Sequence, residues 1–264
     1  MTSTTRFTSS LLAAALAAAT PLLAQRAPAA SPTNLPPEVL SLACAPTLTY
    51  EPFGDFIPIS QVVKFDLALA VSSQVPVHSV KELVAWLKVN PERGVYGSPG
   101  AGTSAHFVAM EFARIFNLDL RHVAYRGTPA ALPDLLTGRV PVYLASSAEL
   151  LEQHKTGGLR ILAIAEANRS LILPEIPTLK ESGVDVDAPG WFAFYAPAHT
   201  PEEIIQTLAK EIVAATQATE TRTKIQALGF EPTGTTPEEL RQLQRDQFDH
   251  WGSVVKASGF KVEQ

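Results

Sequence analysis

The chain has 264 residues, 46% of them hydrophobic, and a formal charge of −5. That length and apolar content are enough for two compact lobes with a sizeable core. The mild acidity argues against nucleic acid or an anionic membrane surface as a main partner, but a small anion can still be held by backbone dipoles in a pocket.

The N-terminus reads as an export signal. Arg6 is the only charge before the apolar run Leu11 to Ala24, which is too short to span a bilayer comfortably. Ala27-Pro28-Ala29 fits a small-residue cleavage site, so residues 1–29 are assigned as a cleavable signal peptide, with cleavage after Ala24 as the alternative. Residues 30–45 continue a stretch punctuated by Pro28, Pro32, Pro36 and Pro37, an extended linker. Cys44 is the only cysteine, so no internal disulfide is expected.

Phe65 to Val71 reads as a buried strand. Ser79-x-x-Glu82 is a capping box that opens a helix with Val80, Leu83, Val84 and Leu87 on one face, and Asn90-Pro91 ends it. A strand around Gly94 to Gly97 leads to a helix over Ser104 to Phe116. Leu120 to Tyr125 is the next strand. A short helix near Ala130 to Leu136 follows, which Pro133 should bend or shorten. Val140 to Ala145, Leu159 to Ala165 and Trp191 to Ala196 are further strands. This alternation predicts an α/β fold with a mostly parallel sheet and helices on both faces. Thr200-Pro-Glu-Glu203 and Thr236-Pro-Glu-Glu239 are the same helix-start signal twice. Ile205, Leu208, Ala209 and Ile212 give the first of those helices its core face. Leu240, Leu243, Trp251, Val254 and Val255 do so for the last.

The chemistry concentrates in Tyr96 to His106, Y-G-S-P-G-A-G-T-S-A-H. A phosphate loop would need a lysine where Thr103 stands. A dinucleotide fingerprint fits Gly100-x-Gly102-x-x-Ala105, but the next strand ends in Tyr125-Arg126 with no acid for a ribose. A nucleophile elbow around Ser98 would need glycine at Tyr96. The six histidines show no metal-ligand spacing, and His106 is weighed as packing at a helix start. No metal or cofactor is expected. What remains is a turn whose N–H groups converge at a helix start, with Ser98, Thr103 and Ser104 as hydroxyl donors, suited to a carboxylate. A tight turn with no ligand is the equal alternative on these residues alone.

Other blocks bear on that choice. Tyr50-Glu-Pro-Phe-Gly-Asp-Phe-Ile-Pro58, the Tyr96 to His106 loop, His122-Val-Ala-Tyr-Arg-Gly127 and Asp134-Leu-Leu-x-Gly138 occur in order. Arg169-x4-Pro174-x-Ile-Pro-Thr178-x-x-Glu181-x-Gly183 follows, then Trp191-Phe192, Ala196-Pro197 and Thr200-Pro201. From about Pro46 onward the chain resembles the Bug family, extracytoplasmic solute receptors of tripartite tricarboxylate transporters. The resemblance implies a two-lobed periplasmic binding protein, type II-like, that is not an enzyme. It implies that a small carboxylate lies in the cleft and that membrane subunits of the transporter are partners.

On this reading residues 46–72 and 195–264 belong to the first lobe and 73–194 to the second. Ser98, Gly100, Ala101, Gly102, Thr103, Ser104, Ser146, Ser147 and Trp191 are the candidate ligand-binding residues. The family's N-terminal strand–helix–strand elements, with a first glycine-rich loop, have no counterpart between the signal and Pro46, so the first lobe is read as shortened. Ala145 stands where the family often has an acid. A monomer is the family expectation, while uncovered faces leave self-association open for this chain. The competing readings are a receptor with impaired binding that serves as an interaction or sensing module and, remotely, a dinucleotide-binding oxidoreductase.

Overall fold

The computed structural model describes residues 50–258 and Phe260. The signal, linker and Cys44 assignments lie outside those residues. Two sheets organise the described chain. The smaller has the order β7-β1-β8, with β1 (Phe56–Phe65) between β7 (Gly190–Pro197) and the short β8 (Glu231–Pro232). The larger has the order β4-β3-β5-β2-β6: β2 is Leu67–Ser72, β3 Val95–Ser98, β4 Arg121–Ala124, β5 Val142–Ser146 and β6 Leu159–Ile164. β3 runs parallel to β4 and β5, while β2 is antiparallel to both its neighbours β5 and β6. The expected mostly parallel sheet is therefore present, with one reversed strand inserted in it.

That reversed strand corrects the sequence reading of a single strand over Phe65 to Val71. The chain breaks at Asp66, leaving β1 in one sheet and β2 in the other. All six residues of Leu-Ala-Leu-Ala-Val-Ser are buried, as a strand covered on both faces requires. The chain returns to the smaller sheet after Ala188, whose N–H donates to the Ala165 carbonyl, and Gly190 then pairs with Phe65. Sheet membership thus changes at Asp66 and before Gly190, not at the boundaries 72/73 and 194/195.

Helices cover both faces of the larger sheet. α1 (Val80–Val89) and α2 (Ser104–Phe116) pack on one face with Leu67, Leu69, Val71, Val142 and Leu144. α3 (Thr128–Leu136) and α4 (Ser147–Lys155) contribute Ala131, Leu135 and Leu150 to the other, around Tyr143. α3 continues through Pro133 for nine residues. Gly97 is needed here because a Cβ would stand 2.7 Å from the Tyr143 ring. On the smaller sheet, α5 (Glu202–Gln217) buries Ile205 and Ala209 against Ile59 and Ala196. α6 (Thr219–Ala227) buries nothing. α7 (Pro237–Ser258) runs from the smaller sheet, where Leu240 and Gln244 are buried, to Trp251 in the core of the larger.

Caps decide several of these boundaries. Ser79 Oγ accepts from Glu82 N–H, but the Glu82 carboxylate reaches one residue further back, to His78 N–H at 2.7 Å. The twin Thr-Pro-Glu-Glu signals diverge. Thr236 forms the full box: its hydroxyl oxygen accepts from Glu239 N–H and its own N–H donates to the Glu239 carboxylate. Thr200 does not cap α5, because its hydroxyl donates to the Pro197 carbonyl at 2.8 Å. The face expected to present Leu243 presents Gln244 instead, whose Nε2 donates to Pro52 O.

The family-like blocks resolve into local scaffolding. Arg169 grips Glu181 through Nε and Nη2, and Nη1 donates to Pro174 O at 3.1 Å. Glu181 in turn accepts from Thr178 N–H. These bonds hold the carboxyl of this exposed glutamate down at about 2, the Arg169 hydrogen bond contributing most. Tyr125 OH donates to Asp134, which also pairs with Arg139, joining the blocks at 122–127 and 134–138.

Lys64 and Glu166 bridge the two sheets where the chain crosses between them. Lys64 Nζ lies 2.6 Å from Glu166 Oε2, and the glutamate is 5% exposed with Oε1 unpartnered among the described residues. Burial pushes the Glu166 carboxyl up to about 8 against the pull of Lys64, with Asp66 adding to the rise. A carboxyl raised from 4.5 to about 8 favours the folded state fully below 4.5 and loses that contribution as pH climbs through 8. Glu166→Gln, a permanently neutral isostere, is therefore expected to melt higher than wild type at alkaline pH and level with it under mild acid. A lower melting temperature for the variant at alkaline pH would show that the ion pair itself is net stabilising.

Candidate functional site

Ser98, the last residue of β3, and Ser146, the last of β5, end neighbouring parallel strands. Their carboxyl ends open on the edge of the sheet where β2 enters from the crossing. In open α/β sheets this is where ligands sit. The Gly100 to Ser104 turn leads from β3 into α2, and α4 begins directly at Ser147.

The turn is held from inside. Ser98 is fully buried, and its Oγ donates to the Gly100 carbonyl at 2.9 Å. The same oxygen lies 2.8 Å from His122 Nε2. A hydroxyl has one proton, so with Gly100 O taking it, His122 Nε2–H is the donor to Ser98. Thr103 Oγ1 donates to the same carbonyl at 2.9 Å and accepts from His106 N–H as the N-cap of α2. Gly102, at φ 76, donates its N–H to His106 Nδ1 at 3.0 Å.

The sequence-derived site residues therefore divide. Ser98, Gly102 and Thr103 spend hydrogens on the turn itself rather than offering them outward. Ser104 and Ala105 keep N–H groups without a protein acceptor among the described residues, as the first turn of a helix must. Ala101 is exposed at the tip of the turn. On the adjacent strand, Ser146 is 8% exposed and its Oγ has no partner among the described residues. Ser147 donates its N–H to Asp66 O at 2.8 Å, tying the start of α4 to the crossing. Trp191 pairs with Lys64 in the smaller sheet, next to the crossing. Ala145, read as a missing acid, is fully buried in the second core and faces no cleft.

The residue that sequence reasoning missed is His122. Its ring stacks on His106 with centroids 3.9 Å apart and planes 13° apart, and the Tyr96 ring lies 4.8 Å from it at an interplanar angle of 25°. The signal was a parallel register: Tyr96 pairs with His122 across β3 and β4. Ser98 and His122 have the spacing of a nucleophile and its base. Ser98 is fully buried, however, and among the described residues no carboxylate orients the imidazole. Among the described residues no helix is long and apolar enough to cross a membrane.

Residues 31–260 match the family described as "Tripartite tricarboxylate transporter family receptor", TctC. The chain belongs to that family. The TctC match accords with the resemblance carried by the Tyr96 to His106 and Arg169 to Gly183 blocks. Protein BugT of Bordetella pertussis is 29% identical over 228 residues, which cover 86% of this chain and 70% of BugT. A UPF0065 protein of a Pseudomonas species is 28% identical, and the match covers 80% of this chain and 63% of that relative. Among solved structures, R. palustris Rpa4515 with adipate is 28% identical at a TM-score of 0.77, covering 82% of this chain and 73% of that one. The periplasmic binding protein BugD is 25% identical at 0.74, covering 81% and 73%.

Gly102 and Gly100 should respond differently to substitution. Gly102→Val places a β-branched residue at positive φ, at a cost of about 1–2 kcal/mol of stability. Gly100→Ala adds a methyl that meets only Thr103 Cγ2, at 3.3 Å. Urea denaturation of both variants should show the larger loss for Gly102→Val. Equal losses would mean that the left-handed turn is not what holds this loop.

Proposed function

We propose that this chain is an exported solute receptor that binds a small carboxylate at the Gly100 to Ser104 turn and presents it to the membrane subunits of a tripartite tricarboxylate-type transporter. One observation carries the reading. The N–H groups of Ser104 and Ala105, without a protein acceptor among the described residues, start α2 at the carboxyl edge, beside a strand that ends in a buried Ser146 hydroxyl also unpartnered among them. A helix start with unspent donors takes an anion without a cationic side chain. Lys64, the nearby ammonium at the crossing, is already committed to Glu166. The adipate in the Rpa4515 structure, on a fold 28% identical to this chain, supports a dicarboxylate as ligand class.

The larger sheet supplies one side of the clamp that the family resemblance implies. Held by these donors, a small carboxylate should bind in the millimolar range or tighter. Titration calorimetry with adipate tests this. Saturable binding that Gly102→Val removes is the expected result. No saturation at roughly ten times a millimolar dissociation constant would overturn the function. Equal binding by Gly102→Val would move the site away from this turn.

A further inference from the structure

Beneath the turn, His106 from α2 and His122 from β4 lie face to face, 3.9 Å between centroids. His106 is 5% exposed. The groups facing the pair are the Tyr96 ring from β3, the Phe107 ring from α2 and the Phe260 ring beyond α7. Tyr96 is the one titratable group among them, and burial raises its phenol, so it stays neutral. Among the described residues no carboxylate or ammonium is paired with either imidazole, and each is hydrogen-bonded to the turn or to Ser98.

These bonds specify protonation. His106 Nδ1 accepts from Gly102 N–H, so the neutral ring carries its proton on Nε2. We propose that His106 and His122 act together as a neutral imidazole stack that positions the glycine turn, and that protonating the stack releases the turn and its ligand. His106 is the positioning residue: a proton on Nδ1 turns the acceptor into a donor facing another donor, and the Gly102 bond is lost. Two stacked cations would also repel at this spacing. Burial holds both rings well below the usual 6.5, at about 4, with His122 adding to the effect on His106. The sign follows. A depressed pKa means that the turn is held fully above 6.5 and is lost as pH falls through about 4. The ligand half of this inference rests on the turn being the carboxylate site; the geometric half does not.

Nitrogen-15 NMR on the ligand-free chain tests the geometric half. At neutral pH His106 is expected with a bare Nδ1 and a protonated Nε2. On acidification the Gly102 amide should shift with the midpoint of the His106 ring. His106→Gln offers a carbonyl acceptor that does not titrate, so it should restore the Gly102 bond and abolish the pH-dependent shift. His106→Leu should lose the bond at every pH. If that variant does not fold, the wild-type titration decides alone. A proton on Nδ1 at neutral pH, or a Gly102 amide that ignores the His106 titration, would overturn the inference. Adipate titrations of wild type and His106→Gln at matched pH then subtract the ligand's own protonation. From pH 6.5 to about pH 3.5 the wild-type affinity should fall about fourfold further than the variant's. Parallel losses would overturn the ligand half. Failure of both proteins to bind adipate at any pH would count against the proposed function and leave the NMR result to stand.

Discussion

One strand running against its neighbours organises this molecule. β2 is antiparallel to β5 and β6 and buried along its whole length. A central strand of reversed direction must be entered from the edge at which its parallel neighbours end. The chain therefore comes in from the smaller sheet at Asp66, beside the carboxyl ends of β3, β5 and β6. Those ends are where helix starts, glycine turns and unsatisfied donors accumulate. The location of the candidate site and the location of the crossing follow from this single reversal. The Ser147 N–H to Asp66 O bond is its direct expression, because it fastens the start of α4 to the crossing residue.

Much of this was legible in the sequence where local chemistry decides the outcome. Ser79 and Thr103 cap helices whose apolar faces were already visible, and α2 begins and ends at the expected residues. The glycine turn was legible because glycine spacing and hydroxyls report on backbone shape. What escaped notice depends on register or tertiary competition. Thr200 and Thr236 carry identical signals, yet the Pro197 carbonyl captures the Thr200 hydroxyl and no sequence rule foresees that rival. α6 buries no residue and so shows no apolar stripe to read. His122 sits 16 residues from His106, and only the β3–β4 pairing and the return of α2 over that face bring the two rings together. The break at Asp66 was hidden because Phe65, the last residue of β1, read as the first of the apolar run that forms β2.

The candidate donors were also partly misjudged for a physical reason. Hydroxyls in a tight turn face the carbonyls of that turn before they face any ligand. Ser98 and Thr103 both donate to Gly100 O, so their hydroxyl hydrogens are spent within the turn. The side chains build the turn, and the backbone N–H groups of Ser104 and Ala105 are left without a protein acceptor among the described residues.

Two ionisable assemblies thus sit at the glycine turn and at the crossing between the sheets, and in the folded chain they titrate around different pH values. The imidazole stack under the turn is neutral above 6.5 and takes protons as pH falls through about 4. Glu166 at the crossing is neutral at low pH and ionises as pH rises through about 8. Acid therefore acts on the glycine turn, and alkali on the bridge between the sheets. The apolar tie across the same crossing, α7 with Leu240 at one end and Trp251 at the other, does not titrate at all. Between pH 6.5 and about 8 the turn is formed while Glu166 gradually gains its charge. No hydrogen bond among the described residues connects the His106–His122 stack to the Lys64–Glu166 pair, so each assembly titrates against its own partners.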